Sequence, residues 1–409
     1  MNTQWSRRDF LKLSGMAGCA AVVPACAHRM TGMEGIVDGM PVAESWTPKV
    51  ASAWVPKGDV DNAYDLFKQT IEASTDFAWL SKGDSVLIKL TLNSGNPYPA
   101  TSDPWSLASL IRLLREKGAG RIVVGDSSGI EQVHWTNKKK KGASRECCRQ
   151  SGLLDVIQQN TAEALFFEES GYDAFIPEYP AGSHHWKAPV MITTAIKNAD
   201  HLIYLTRVSS HVMGDITSGF KTGVGFLRED SRKAFHRGGD DFYAMYEEIS
   251  SIPSISSKLR LTVSSGRKVL STFGPDNGHV TEPENGLVLA STDLFAHEML
   301  AYAWLLYNRE FETGFFDGGI TAGLTQRRSL INKGFVWLMW DDGGFFDTPA
   351  MPLFIQENIY AHPSMVNHMK RKGGRPAGIE WKQVNSPKGS EDSEGTEKMV
   401  DYLMKRLNG

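Results

Sequence analysis

The chain of 409 residues is poor in cysteine, with only four, and none of them stands in a CxxC pair or in ferredoxin spacing. That excludes the usual ligand patterns of an iron–sulfur cluster, so no such cluster is expected on this chain. Cys147 and Cys148 are adjacent, an arrangement that forms a disulfide only under strain, and two thiols buried in a helix are the simplest reading of them. There is little excess charge of either sign: 44 Lys and Arg stand against 47 Asp and Glu, a formal net charge of −3. Without a basic surplus the chain does not read as a nucleic-acid-binding protein. The one basic run, Lys138 to Lys141, reads as a solvated loop. Long apolar runs are also missing. The longest apolar segment, Leu13 to Ala27, is too short and too rich in Gly and Ala for a stable membrane span. No internal repeat is visible.

The N-terminus carries an address. "SRRDFLKLSG" places Arg7 and Arg8 before Phe10, Leu11 and Lys12, and the small-residue apolar stretch follows. This is the layout of a twin-arginine export signal. The expected partner is the twin-arginine translocation machinery, and the expected location is the periplasm or another extracytoplasmic space. Ala25-Cys26-Ala27 offers cleavage after Ala27 to leave His28 first. The lipobox-like contexts of Cys19 and Cys26 keep lipoprotein anchoring open. Loss of residues 1–27 makes the chain more acidic, near −5, because Arg7, Arg8 and Lys12 leave with Asp9.

"GDITSGFKTGVG", Gly214 to Gly225, resembles a phosphate-binding P-loop at first sight. Gly214 and Gly219 have the P-loop spacing, but Phe220 intervenes before Lys221 and Thr222. The strand that would supply the acidic Mg²⁺ partner precedes the loop, and an exported protein meets little nucleoside triphosphate. The P-loop reading is rejected.

Elsewhere strands and helices alternate. "DSVLIKLTL" is an apolar, β-branched run bounded by turn residues and reads as a buried strand. "WSLASLIRLLREKG" has helical spacing with Gly118 as its stop, and "RIVVGDSSG" is a second buried strand. Together they make a strand–helix–strand unit of parallel type. The order continues through "HLIYLTRVS", "DDFYAMYEEIS", "LRLTVSSGRKVL" and a strand turning into a long helix after Asn285. The expected fold is α/β, a mainly parallel sheet flanked by helices, with an irregular C-terminal extension. The expected divisions are a signal over 1–27, a lead-in over 28–83, the α/β core over 84–310 and the extension over 311–409.

Ligands of open parallel sheets sit beyond the carboxyl ends of the strands. Lys89, Thr91 and Asn93 end one strand, Asp126, Ser127 and Ser128 the next, and Arg207, Ser209, Ser210 and His211 the third. One crevice collecting these residues is expected. The Gly-rich segment that follows would fold Lys221, Arg232 and His236 back onto it.

These same stretches carry a family resemblance. Ile88-Lys89-Leu90-Thr91, Thr101-Ser102-Asp103-Pro104 and Gly118 through Gly129 match an opening pattern. His211, Thr217, Lys221, Gly225, Arg232 and His236 match a central one, and Ser291 through Glu298 a third. In these the chain resembles a bacterial and archaeal family known as domain of unknown function 362, many of whose members carry iron–sulfur modules. Ser209 and Ser210 replace a Lys-Thr pair of that pattern, and Thr222 replaces an Asn.

Chemically, Lys221 and Arg232 suit a phosphate or carboxylate, so a small anionic ligand is the expected partner. Lys89, Asp126, Thr217 and Asp293 are expected to complete its site, with either Asp293 as the carboxylate lying between the cations or a bound anion in that place. His211 and His236 are the candidate catalytic residues, able to move protons or to bind a metal through neutral imidazole. The cofactor is not specified by the sequence. The two functional expectations are an exported metal- or redox-cofactor-dependent enzyme, and a non-catalytic binding or accessory protein for a periplasmic redox system.

Overall fold

The computed structural model describes residues 33–59, 63–211, 213–272, 274–310, 358–387 and 393–408. The signal with Arg7, Arg8 and Ala27, and the aromatic stretch over 335–346, lie outside them.

In chain order the principal elements begin with β1 (Lys49–Pro56), α1 (Tyr64–Ser74), β2 (Ser85–Leu90), α2 (Pro104–Glu116) and β3 (Arg121–Asp126). Next come α3 (Ser144–Gln150), α4 (Leu153–Gln159), β4 (Glu163–Phe166), β5 (His201–His211), β6 (Asp215–Thr217) and α5 (Gly219–Thr222). Then follow α6 (Glu229–His236), α7 (Phe242–Glu248), β7 (Leu259–Leu270), β8 (Val280–Thr281) and β9 (Asn285–Ser291). The last are α8 (Leu294–Glu310), α9 (Pro363–Arg371), β10 (Glu380–Gln383) and α10 (Ser393–Asn408). The ten strands form one sheet in the order β10-β1-β9-β7-β5-β2-β3-β4, with β6 paired to β5 and β8 to β7. From β7 to β4 the path is parallel throughout. β9 runs against both its neighbours, β7 and β1. The fold is α/β with a mixed, mostly parallel sheet.

The apolar runs of β2, β3 and β5 are buried on both faces, as parallel strands between two helical layers must be. Ile88, Val124, Ile203 and Leu205 pack with Phe67, Leu110 and Leu154 on one side. Leu87, Val123, Leu202 and Tyr204 pack with Phe220, Phe235, Phe242 and Phe295 on the other. Asp103 caps α2 by accepting the Trp105 N–H at 3.2 Å, and Pro104 occupies the first helical turn, where its missing N–H costs nothing.

Two expectations about boundaries change. Residues 49–74 were expected in the lead-in, yet β1 lies inside the sheet between β9 and β10 and α1 packs beneath it. "KVASAWVP" hides this because small Ala and Ser interrupt the apolar run. The extension is likewise tied into the core. β10 pairs in parallel with β1, and α10 buries Leu403 and Leu407 in the core cluster.

Cys147 and Cys148 are buried in α3 as free thiols. Burial pushes the Cys148 thiol up to about 12 and raises Cys147 as well. Since the thiolate is the reactive species, neither cysteine is expected to label with iodoacetamide in the folded protein, and both should label after denaturation. Native labelling of either, read by mass spectrometry, would contradict this. Among the described residues no helix is long and apolar enough to cross a membrane.

Candidate functional site

At the carboxyl edge of the sheet, β2, β3 and β5 end around a cavity of about 70 Å³, room for a handful of water-sized groups. Its lining includes Lys89, Thr91, Asn93, Asp126, Ser127, His211, Thr217, Lys221, Gly225 and Arg232. The structure therefore brings together nine of the residues singled out in the sequence: Lys89, Thr91, Asn93, Asp126, Ser127, His211, Thr217, Lys221 and Arg232.

Their roles differ. Lys89 Nζ lies 2.6 Å from Asp126 Oδ1 in an ion pair almost wholly removed from water, and it also donates to the Leu90 carbonyl at 2.7 Å. Asp126 accepts from the Leu92 and Ser127 N–H groups, each at 2.7 Å. Burial lowers the Lys89 pKa, and the Asp126 charge opposes that shift. This pair ties the ends of β2 and β3 together. Gly225 is obligatory against it, because a Cβ there would overlap Asp126 Oδ1 and Lys89 Nζ.

Arg232, on α6, is a fastener as well. Its guanidinium donates to the carbonyls of Leu227, Ser127, Ser128 and Gly225. Most of its fork is thus spent on backbone, and Arg232 fixes the two loops that wall the cavity. The expectation that it grips the ligand directly is revised accordingly.

The β5–β6 hairpin carries His211, whose Nδ1 accepts from the Met213 and Gly214 N–H groups at 3.0 and 3.1 Å. This fixes the tautomer with hydrogen on Nε2. Lys221 comes from the short helix α5, and its stem lies against Gly214, where an added Cβ would meet Lys221 Cε at 3.3 Å. The hydroxyls of Ser127 and Thr217 are buried without a hydrogen-bond partner among the described residues, although such groups normally find one.

His236 does not line the cavity. Its Nδ1 meets the Arg232 carbonyl at 2.7 Å, and its ring packs on Phe235 and Phe242. Burial, with the Lys221 charge second, holds its pKa well below the usual histidine range, so it stands near Lys221 as a neutral neighbour. Among the described residues no three His, Cys, Asp or Glu converge as metal ligands; His211 and His236 gain no third ligand there, and His211 Nδ1 is occupied by backbone N–H groups.

Asp293 lies elsewhere. It follows β9, and because β9 is antiparallel its carboxyl end is at the opposite edge from the cavity. There Asp293 accepts from Trp46 Nε1 at 2.8 Å and from the Ala296 N–H at 3.0 Å, opening α8. The expectation assumed a parallel strand. The carboxylate beside the cations is Asp126.

Sequence reasoning placed Ser127 and Arg207 among the strand-end residues of the crevice without giving either a role, and it did not single out Gly225 as a packing requirement. An arginine inside the apolar run "HLIYLTRVS" is the signal that marks Arg207.

A search among curated proteins found no match. The chain is similar to several solved structures, two of which are as follows. One is the lactate racemase apoprotein from Thermoanaerobacterium thermosaccharolyticum, at 13% identity and a TM-score of 0.39, covering 62% of this chain and 56% of that one. The other is a protein from Thermotoga maritima, at 12% identity and a TM-score of 0.36, covering 60% of this chain and 58% of that one. The chain thus spans less than two thirds of either structure's length. A family model described as "Domain of unknown function (DUF362)" matches residues 86–303, which is more than half of the sequence. The chain belongs to that family.

Proposed function

We propose that the cavity binds a small anionic ligand, in a protein exported by the twin-arginine machinery. One observation carries the reading. Among the described residues, about 70 Å³ of space is lined by Lys89, Lys221 and Arg232 against the single carboxylate of Asp126, together with the buried hydroxyls of Ser127 and Thr217 that lack partners there. A cationic lining with two buried donors favours an oxyanion over a neutral ligand. Lys221 supplies charge, Ser127 and Thr217 donate hydrogen bonds, and His211 offers its Nε2–H. The Lys89–Asp126 pair and Arg232 hold this set in place.

Between the enzyme and the non-catalytic binding protein, the fixed His211 tautomer favours binding. An imidazole whose Nδ1 accepts two backbone N–H groups is a donor to the ligand rather than a base toward it.

Titration calorimetry with phosphate and with acetate tests the reading. Lys221→Ala is expected to weaken the preferred anion about ten- to a hundredfold, the range for a lost charge-assisted hydrogen bond. The melting temperature without ligand should stay nearly unchanged. No detectable heat with either anion, or equal affinity in the variant, would overturn it. Export has its own test. Replacing Arg7 and Arg8 by Lys should hold the precursor in the cytoplasm, and normal periplasmic levels in that variant would contradict the proposal. A mature N-terminus at His28 supports release, whereas an acylated Cys19 or Cys26 supports anchoring.

A further inference from the structure

Next to the cavity lies a second group of buried polar atoms. Arg207, on β5, is completely removed from solvent. Its Nη1 donates to the Pro99 carbonyl at 2.8 Å, while Nε and Nη2 have no partner among the described residues. Ser209 Oγ is in the same position, as is Asp276 Oδ1. A buried guanidinium with donors unmet is costly, and native proteins rarely keep one without an occupant.

Placement links this group to the cavity. Residues 207, 209 and 211 alternate along one strand and so share one of its faces. His211, at the end of that row, lines the cavity. Ser209 is directly paired across the hairpin with Thr217, a second lining residue whose hydroxyl lacks a partner. Cross-strand neighbours of this kind stand about 5 Å apart. On the far side, Asn93 lines the cavity and donates to Asp276 Oδ2 at 2.8 Å, and Asp276 is the carboxylate whose charge acts on Arg207. The row runs from His211 and Thr217 at the cavity, through Ser209, to Arg207.

We propose that Arg207 and Ser209 form an inner pole of the ligand site, so that the ligand carries two acceptor groups: one oxyanion at Lys221 and a second oxyanion or carbonyl oxygen reaching Ser209 and Arg207. This rests on the anion-binding reading above and narrows it to a short, two-ended ligand such as a small dicarboxylate or a keto acid. Lys221 and Arg207 serve opposite ends, and the Asp276 charge balances that of Arg207.

The test uses the full processed protein and two probes, acetate and malonate, in titration calorimetry. Wild type should bind malonate at least tenfold more tightly than acetate, since the second carboxylate adds a charge-assisted contact. Ser209→Ala should cut that ratio several-fold, and Arg207→Met should abolish it, with acetate affinity unchanged in both. Ser209→Ala removes one exchangeable hydroxyl and decides the matter should Arg207→Met fail to fold. A malonate-to-acetate ratio near one in wild type, a ratio kept intact in Ser209→Ala, or equal weakening of both probes would overturn the inner pole and leave the anion site standing. Binding of neither probe nor of phosphate would overturn both.

Discussion

Asp126→Ala is expected to destabilise the protein by about 3–5 kcal/mol, the cost of leaving a buried charge without its partner. Lys89 is about 1% exposed and has two contacts for its ammonium, Asp126 and the Leu90 carbonyl. With the carboxylate gone, the burial that already lowers its pKa acts unopposed, and the side chain must lose its proton or drag water into the sheet edge. The Leu92 and Ser127 N–H groups lose their acceptor at the same time. The loss belongs to the orphaned partner rather than to the pair, since buried ion pairs are often replaceable by apolar groups. The double variant Lys89→Met, Asp126→Leu should therefore recover a large part of it. Equilibrium urea unfolding of both single variants and the double variant measures this. A cost below about 1 kcal/mol for Asp126→Ala would mean that the pair behaves as a solvated one, and the rigid framework argued for the cavity would fall.

That framework was partly legible in the sequence. β2, α2 and β3 announce themselves because both-face burial gives unbroken apolar runs, and because Asp103-Pro104 carries the chemistry of a helix start. The gathering of Lys89, Asp126 and His211 followed from parallel strands ending at one edge. What pattern could not provide was strand direction beyond that unit. β9 reads as an ordinary buried strand, and only its pairing shows it to be antiparallel, which moved Asp293 to the far edge. Nor does residue type reveal what a side chain touches. Arg232 and Lys221 look equivalent in sequence, but four carbonyls converge on Arg232 because the Ser127–Ser128 turn and the Leu227 loop close around it. β1 and β10 were missed for a different reason. Short strands with small or polar residues become strands through their neighbours, not through their own propensity.

Two adjacent buried groups, His297 and Glu298, are expected to pull the folded protein's stability in opposite directions between about pH 4.5 and 6.5, and His297→Gln should remove its share of the acid loss, about 1.4 kcal/mol per pH unit, one proton's worth. His297 lies in α8, fully buried, with Nε2 at 2.9 Å from Ser264 Oγ. Burial alone drives its pKa down to about 3. Between that value and the ordinary 6.5 the unfolded chain holds a proton that the folded chain refuses, so acid favours unfolding over this window and not above it. Its neighbour Glu298 acts with the opposite sign. Burial raises that carboxyl to about 7, against the hydrogen bond it accepts from the Phe220 N–H at 3.1 Å. From about 4.5 to 7 the folded state holds the proton that the unfolded state has lost, and stability falls as pH rises. Glu298→Gln should therefore steepen the acid slope within that window by the same amount, while His297→Gln relieves it. Two adjacent core residues with opposite effects on the slope separate burial of the ionisable group from mere loss of packing, which would shift stability equally at every pH. The measurement is a set of urea unfolding curves at half-unit pH steps from 4 to 8 for the wild type and both variants. Parallel curves displaced by a constant amount would show that neither group titrates differently on folding. The opposed slopes would place a pH-sensitive carboxyl directly on the start of α5, the helix that brings Lys221 to the cavity.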